Sequence, residues 1–302
     1  MFKHKLYSYL LLTLGLFFAL SAKANQTIEQ ADLIVFSYDR PLQLTALLES
    51  VALHVTGIKD VFIEYRSSNE TYEEAYQQVK KEFSKAIFVR QDNSTVSTNF
   101  KPILCDIVER QTTQKYIVFA TDDIVVCNTI NISDCIRHLR TTKALGFYLR
   151  LGKNITHHYI QNNKKIPHPH FERTENSVLK WPFKQSKNPW GYHHTVDMTI
   201  YEKLYILPAI KSLAYKAPNT FEGKWNQLAP KKPFGLCYEH SKIVNFPLNL
   251  VQDECNNKHT NALSPEVLLK LFQNGGRMNI MALIGHKNNS VHDDFLPSFI
   301  NQ

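Results

Sequence analysis

Hydrophobic residues after position 30 follow two patterns in turn, one typical of buried strands and the other typical of helices. Short runs of β-branched and aromatic residues predict strands at Asp32–Ser37, Asp60–Tyr65, Ala86–Arg90 and Tyr116–Ala120. Between these runs, the sequence predicts helices at Leu42–His54, Tyr72–Phe83 and Ile103–Arg110. Because strands separated by helices of this length usually pair in parallel, the chain is predicted to form an α/β fold with a mainly parallel central sheet.

Polar residues follow three of the predicted strands directly. These segments are Ser37-Tyr-Asp-Arg-Pro41, Tyr65-Arg-Ser-Ser68 and Thr121-Asp-Asp123. In open α/β sheets, ligands bind outside the carboxyl ends of the strands. We therefore expect the three segments to share one cleft.

Two adjacent carboxylates, Asp122 and Asp123, end the most apolar of these strands. Burying a carboxylate costs free energy unless a cation or hydrogen-bond donors meet it. Hard divalent cations such as Mg²⁺ or Mn²⁺ take oxygen ligands, so the pair is a candidate metal site. The alternative is that the pair only caps a helix or closes a turn.

Composition and charge are those of a globular domain. Hydrophobic residues make up 43% of the chain, and the formal net charge is +8. We predict one domain from residue 30 to 302, with acceptor-side elements after Phe147, because no linker-like stretch divides the chain. The basic excess suits an anionic ligand such as a nucleotide diphosphate, or a phospholipid surface. Since no Lys/Arg-rich block is interleaved with aromatic residues, no nucleic-acid partner is expected.

Residues 1–24 have the pattern of a signal peptide. Basic residues precede an apolar run from Leu6 to Leu20, and Ala22-Lys-Ala24 matches a signal-peptidase site. We expect cleavage after Ala24 and export to the periplasm, the secretory-pathway lumen or the medium. The alternative is an uncleaved anchor that associates the domain with a membrane, although the apolar run is short for a span.

Five cysteines are an odd number for an exported chain. Cys127 with Cys135, and Cys237 with Cys255, are candidate disulfides, although the sequence does not fix the connectivity. Cys105 is expected to be a buried small hydrophobic residue.

Several of these motifs together resemble those of GT-A fold glycosyltransferases, in particular the family 2-like group. Ser37-Tyr-Asp-Arg-Pro41 resembles the first strand-loop of that group, and Thr121-Asp-Asp123 stands where the family has its D-x-D motif. Three further segments are similar to motifs of uncharacterised bacterial members: Phe147-Tyr-Leu-Arg-Leu-Gly-Lys-Asn154, Trp190-Gly-Tyr192 and Pro218-Asn-Thr-Phe-Glu-Gly223. The resemblance covers roughly residues 31–280. It implies transfer of a sugar from a nucleotide-sugar donor to the hydroxyl of a carbohydrate or other acceptor, with Mn²⁺ or Mg²⁺ as cofactor.

The resemblance also implies roles for individual residues. Glu222 is the candidate catalytic base and Asp197 the backup. The alternatives are that Glu222 is an exposed acid in the first turn of a helix, and that Asp197 orients the Trp190–Tyr192 loop. The metal ligands would be Asp122 and Asp123, with His240 or His259 completing the shell. Donor-binding residues would be Ser37, Tyr38, Asp39, Arg40, Arg66, Lys101 and Asp122.

Two other classes of function remain open. The first is an exported, non-catalytic protein that binds carbohydrate, with Trp181, Trp190 or Tyr192 stacking on a sugar ring; each is as readily a core residue. The second is a metal-dependent hydrolase, because the chain has 13 histidines, and zinc favours imidazole. None of the histidines forms an H-E-x-x-H pattern, which counts against the second class.

Overall fold

The computed structural model describes residues 29–92, 96–184, 186–187, 189–251 and 263–301, without the side chains of residues 96–98 and 160. The predicted signal segment at residues 1–24, the candidate ligand His259 and Cys255 lie outside the described residues.

The described residues form seven α-helices, and local sequence explains where two of them begin. Pro41 opens the first helix, where its missing N–H costs no hydrogen bond. The second helix is capped by Asn69, whose side chain accepts a hydrogen bond from the Tyr72 N–H. The helices are α1 (Pro41–His54), α2 (Glu70–Glu82), α3 (Val96–Asp106), α4 (Ile132–Thr142), α5 (Lys203–Ser212), α6 (Pro218–Trp225) and α7 (Pro265–Gln273).

The described residues also form seventeen strands. They are β1 (Ala31–Tyr38), β2 (Val55–Thr56), β3 (Ile58–Arg66), β4 (Ile87–Arg90), β5 (Tyr116–Thr121), β6 (Ile124–Val126), β7 (Ile130–Asn131), β8 (Gly146–Tyr148), β9 (His157–His158), β10 (Lys164–Lys165), β11 (Glu172–Arg173), β12 (Val178–Pro182), β13 (Thr199–Glu202), β14 (Phe234–Tyr238), β15 (Ile243–Asn245), β16 (Gly276–Met278) and β17 (Phe299–Asn301). Every strand and helix predicted from the pattern is present. The helix predicted at Ile103–Arg110 begins earlier, at Val96, and continues past Asp106 as a π-helical turn, Ile107–Gln111.

A nine-stranded sheet forms the centre of the fold, in the order β11-β12-β14-β8-β13-β5-β1-β3-β4. Only β12 and β13 run against the direction of the other strands in this sheet. The predicted α/β fold with a mainly parallel sheet is therefore confirmed. Because strands from both sides of Phe147 belong to this sheet, the later part of the chain extends the first half directly.

The sheet is covered on both faces by apolar side chains. Along β1, Leu33 and Val35 belong to the cluster on one face, while Ile34 and Phe36 belong to the cluster on the other. Successive side chains of a strand point to opposite faces, so a strand that is apolar throughout needs two covering layers. This explains why β1 reads as a continuous hydrophobic run.

The structure corrects one disulfide candidate. Cys127 and Cys135 are both buried and both free, and the Cys135 thiol lies 3.1 Å from the Tyr238 hydroxyl. Cys237 is free as well. Within the described ranges, no helix combines the length and apolar character that crossing a membrane would require.

Candidate active site

The predicted cleft forms where β1 and β5 end side by side. These strands pair in parallel, with Phe36 opposite Thr121, so Ser37 and Tyr38 lie next to Asp122. One Asp122 oxygen, Oδ2, accepts hydrogen bonds from the Ser37 hydroxyl at 2.9 Å and from the Tyr38 N–H at 3.1 Å. The first loop and the acidic pair are thus held together through Asp122.

Arg40 holds the other oxygen of Asp122. Its Nη1 lies 3.0 Å from Asp122 Oδ1, and the rest of the guanidinium donates to the side chain and carbonyl of Asn249. Burial raises the pKa of Asp122 to about 6, with a further contribution from Asp123, while Arg40 opposes the rise. Asp122 is therefore ionised at neutral pH and paired with a cation, and its oxygens are occupied by protein donors.

We expect the Arg40→Ala variant to lose much of the stability of this region. Removing one partner of a buried ion pair leaves an uncompensated charge, which typically costs about 3–5 kcal/mol. The matched control is Arg110→Ala, because Arg110 pairs with Asp106 on an exposed helix surface and such pairs are worth less than about 1 kcal/mol. Urea unfolding measures both variants. Equal losses for the two would show that the Arg40–Asp122 pair does not stabilise the site.

The end of β3 joins the same cleft. The Asp39 backbone lies in the left-handed region, with φ of 51°, which Asp and Asn adopt more readily than most residues. Its carboxylate accepts the Ser68 N–H at 2.8 Å, and burial raises its pKa. The Arg66 guanidinium lies 4.3 Å from the centroid of the Tyr38 ring. The three polar segments predicted to share a cleft are therefore neighbours.

Asp123 and Asp197 meet across the neighbouring strand pair. Strand β13 runs antiparallel to β5 with Thr199 opposite Phe119, so continuing that register places Asp197 opposite Thr121. The Thr121 hydroxyl lies 2.9 Å from Asp123 Oδ1 and 3.0 Å from Asp197 Oδ1. A hydroxyl has one hydrogen to donate, so it cannot satisfy both carboxylates fully.

Asn245 also contacts both acids. Strand β15 pairs with β6 and places Asn245 opposite Ile124, the residue after Asp123. Its Nδ2 lies 3.2 Å from Asp123 Oδ1 and 3.4 Å from Asp197 Oδ1. The two carboxylates are thus joined by neutral donors only.

Arg150 neutralises the charge of Asp197. Strand β8 pairs antiparallel with β13, with Tyr148 opposite Thr199, and the same register leads to Arg150 opposite Asp197. The Arg150 guanidinium donates to Asp197 Oδ2, and both side chains are buried. Asp123, in contrast, has no lysine or arginine within ion-pair distance in the described part of the chain.

His292 approaches the acids from the C-terminal region. A bridge to Asn245 places it beside them. Burial lowers the pKa of His292, with Asp197 and Asp123 acting in the opposite direction. Its Nδ1 and the Oδ1 of Asn245 are buried atoms without a hydrogen-bond partner among the described residues. A buried polar atom without a hydrogen-bond partner typically costs about 1–3 kcal/mol. Two such atoms beside Asp123 and Asp197 therefore indicate room for a ligand that would bond to them.

Glu222 lies next to Asp197 and Arg150. It lies in the interior of the short helix α6 and is partly buried there. Its carboxylate accepts the Val196 N–H at 2.9 Å and the Tyr192 hydroxyl at 3.2 Å. Burial raises the pKa of Glu222, the charge of Asp197 raises it further, and Arg150 lowers it. A carboxyl group with a raised pKa is suited to accept a proton near neutral pH.

The remaining candidate residues contact parts of the protein other than Asp122 and Asp123. Lys101 donates to the Leu213 carbonyl at 2.7 Å, so its side chain is held by the end of α5. His240 is exposed in the turn between β14 and β15. Trp181 and Trp190 are buried to 1% exposure, which favours their core interpretation. Tyr192 is only partly buried, and through its hydroxyl it belongs to the Glu222 network.

His193 and His194 do not support the alternative of a zinc hydrolase. His194 stacks on Trp225, and its Nδ1 lies 2.8 Å from the Trp225 carbonyl. Both ring nitrogens of His193 lie near backbone carbonyls. Over the ranges that the structure describes, no three His, Cys, Asp or Glu side chains are grouped so as to hold a metal ion.

Sequence reasoning missed several residues of this site. Arg150 lay inside a quoted motif without a role, and its spacing from Asp197 becomes meaningful only once β8 and β13 are known to pair. Asn245, Asn249 and His292 carried no local signal, because their partners in the site lie far from them in the chain.

Comparison with known proteins gives one similar curated sequence. The chain is 29% identical over 282 residues to the bifunctional glycosyltransferase pgtA of Dictyostelium discoideum, a match that covers 82% of this chain and 36% of that protein. The chain thus spans about a third of the length of this relative. The resemblance to glycosyltransferases predicted from the motifs is confirmed by this similarity. No family model matches the chain.

Solved structures of S. aureus TarS residues 1–349 also overlap with this fold. The complex with UDP-GlcNAc has a TM-score of 0.43 at 15% identity and covers 69% of this chain and 58% of that one. The complex with UDP has a TM-score of 0.45 at 13% identity, covering 69% and 60%.

Proposed function

We propose that this chain transfers a sugar from a nucleotide-sugar donor to the hydroxyl of a carbohydrate or other acceptor, with a divalent metal ion bound at Asp123. The proposal rests on the similarity to a glycosyltransferase and on the acidic cluster of Asp122, Asp123 and Asp197, which lies where β1 and β5 end.

The unequal pairing of three aspartates carries the proposal. Asp122 is paired with Arg40 and Asp197 with Arg150, while among the described residues Asp123 is met by the neutral Thr121 hydroxyl and Asn245 amide. Two neighbouring carboxylates repel each other, and a cation bound between them relieves that repulsion. Asp123 is therefore the carboxylate that most needs an external cation.

The donor atoms around Asp123 fit Mg²⁺ or Mn²⁺. Such ions are commonly held by one or two carboxylates together with substrate phosphates, so a full set of protein ligands is unnecessary. Asp123 would be the main protein ligand, with the Asp197 carboxylate beside it, because the Thr121 hydroxyl contacts both. When bound, the ion would neutralise negative charge on the departing nucleotide diphosphate.

The protein residues themselves would position the donor and take a proton. The Ser37–Arg40 loop and Arg66 line the side of the cleft nearest β1 and β3, where we propose that the nucleoside binds. Glu222 would accept the proton of the acceptor hydroxyl, with its carboxylate oriented by the Val196 N–H and the Tyr192 hydroxyl. Asp197 is less suited to be the base, because its Oδ2 already accepts a hydrogen bond from the buried Arg150 guanidinium.

Export remains part of the proposal, in either the cleaved or the anchored form. Nucleotide sugars are made in the cytoplasm, so an exported enzyme needs a supply of donor on its own side of the membrane.

Isothermal titration with uridine and guanosine diphosphates tests the proposal. We expect binding in the presence of Mn²⁺ and at least a roughly tenfold loss of affinity when a chelator removes the metal, since each tenfold corresponds to about 1.4 kcal/mol. Binding of neither diphosphate, with or without Mn²⁺, would favour the non-catalytic carbohydrate-binding alternative. Binding that is unaffected by the chelator would contradict the metal role of Asp123.

A further inference from the structure

A second polar pocket lies at the opposite end of the sheet from the acidic cluster. Its volume is about 260 Å³, and Tyr116, the first residue of β5, forms part of its wall. Asp122 follows the last residue of the same strand, so at about 3.3 Å per residue the two sites are roughly 20 Å apart. The function proposed above makes no use of this pocket.

Cationic side chains predominate in this pocket. The pocket is lined by four cations and one carboxylate: Lys115, Arg140, Lys143, Lys232 and Glu202. Glu202 is shared, since its oxygens lie 3.3 Å from Lys115 Nζ and 3.9 Å from Lys232 Nζ. One carboxylate cannot neutralise both lysines, so positive charge remains.

The other two cations add to this excess. Arg140 pairs with Glu29 at 2.9 Å, an exposed contact of the kind that contributes little. Lys143 has no hydrogen-bond or ion-pair partner within the described ranges, and it is exposed at the end of α4. The carbonyls at that helix end carry about half a negative charge, which opposes anion binding but is smaller than the cationic excess.

Two phenols supply uncharged donors in the same wall. Tyr116 and Tyr205 line the pocket, and Lys232 Nζ lies 4.2 Å from the centroid of the Tyr205 ring. Neither hydroxyl makes a hydrogen bond to any residue that the structure describes. Lysine charges combined with hydroxyl donors are typical of phosphate recognition.

We propose that this pocket binds a phosphate group. Its volume is below the usual range for drug-sized ligands and suits one small phosphorylated group. The group has two possible sources: a soluble phosphate compound, or the headgroup of an anionic lipid. The second source is suggested by the N-terminus, because Glu29, which pairs with Arg140, follows the predicted signal or anchor segment by only five residues.

Titration with glycerol 3-phosphate and sedimentation with vesicles test the proposal on the full exported chain. The vesicles contain phosphatidylcholine with or without phosphatidylglycerol. Lys143→Glu and Lys115→Glu reverse charges in the pocket. Lys85→Glu makes the same charge change outside the pocket, in the turn before the edge strand β4. Thermal unfolding confirms that each variant is folded.

We expect the two pocket variants to weaken binding about tenfold or more, as loss of a charged hydrogen bond typically does, while Lys85→Glu stays within about twofold of wild type. If the two pocket variants lose binding of glycerol 3-phosphate, the source of the phosphate group is a soluble phosphate compound. Loss seen only with phosphatidylglycerol vesicles identifies the lipid headgroup. No binding of either probe by the wild type, or equal loss in Lys85→Glu, overturns the proposal. Metal-dependent nucleotide binding should be unchanged in all three variants, so this result is independent of the sugar-transfer proposal.

Discussion

Asp123→Asn is expected to abolish metal-dependent nucleotide binding while leaving the fold intact. Asparagine keeps an oxygen that can accept from Thr121 and Asn245, so the local hydrogen bonds survive. It lacks the negative charge that holds a hard cation. Loss of charge stabilisation at a leaving group is worth several kcal/mol, so transfer should fall by roughly a hundredfold or more.

Titration with Mn²⁺ and a nucleoside diphosphate, together with a sugar-transfer assay, measures this effect. Asp134→Asn is the matched control, because Asp134 is an exposed acid in the first turn of α4 and pairs only with Arg137. The control should bind and transfer like wild type. If Asp123→Asn still binds nucleotide in a Mn²⁺-dependent way, the metal is held elsewhere, and Asp122 and Asp123 only stabilise the fold.

Glu222→Gln is expected to separate binding from transfer. The amide is similar in shape and can still accept the Val196 N–H, but it cannot take a proton from an acceptor hydroxyl. Nucleotide binding should therefore match that of the wild type. Turnover should fall by about 10²–10⁴-fold, the usual contribution of general base catalysis.

Steady-state kinetics with a saturating donor, alongside the same titrations, test this split. Glu175→Gln serves as the control, because Glu175 is an exposed carboxylate paired with Arg137. A variant with full turnover would remove Glu222 from the mechanism. Joint loss of nucleotide binding and turnover would instead show that Glu222 supports the structure of the cleft, through Tyr192 and Val196.

The Arg40, Asp123 and Glu222 variants test three different properties of one site: its stability, its metal binding and its proton transfer. Arg40→Ala tests whether a buried ion pair holds the first loop against the acidic strand. Asp123→Asn tests whether the carboxylate without a cationic partner recruits a metal. Glu222→Gln tests proton transfer alone. Since Asp197 lies between Asp123 and Glu222 and is paired with Arg150, the effects of the last two changes are not expected to be additive.

The sequence by itself determined the α/β architecture and the first half of the site. Strand β1 and the run before Asp122 are apolar on both faces, which only a sheet covered on both sides satisfies. Parallel strands end at the same edge of a sheet, so Ser37, Arg66 and Asp122 could be placed in one cleft from their positions in the chain.

Tertiary structure alone decided which of the two carboxylates pairs with an arginine of the described chain and which residues surround the other. Asp122 and Asp123 are adjacent and chemically identical in the sequence, yet Arg40 reaches only the first. Arg150 and Asp197 meet through an antiparallel register, and Asn245 arrives from a strand more than a hundred residues later. Such pairings depend on which strands become neighbours, and periodicity, which reports only on local burial, carries no information about that choice.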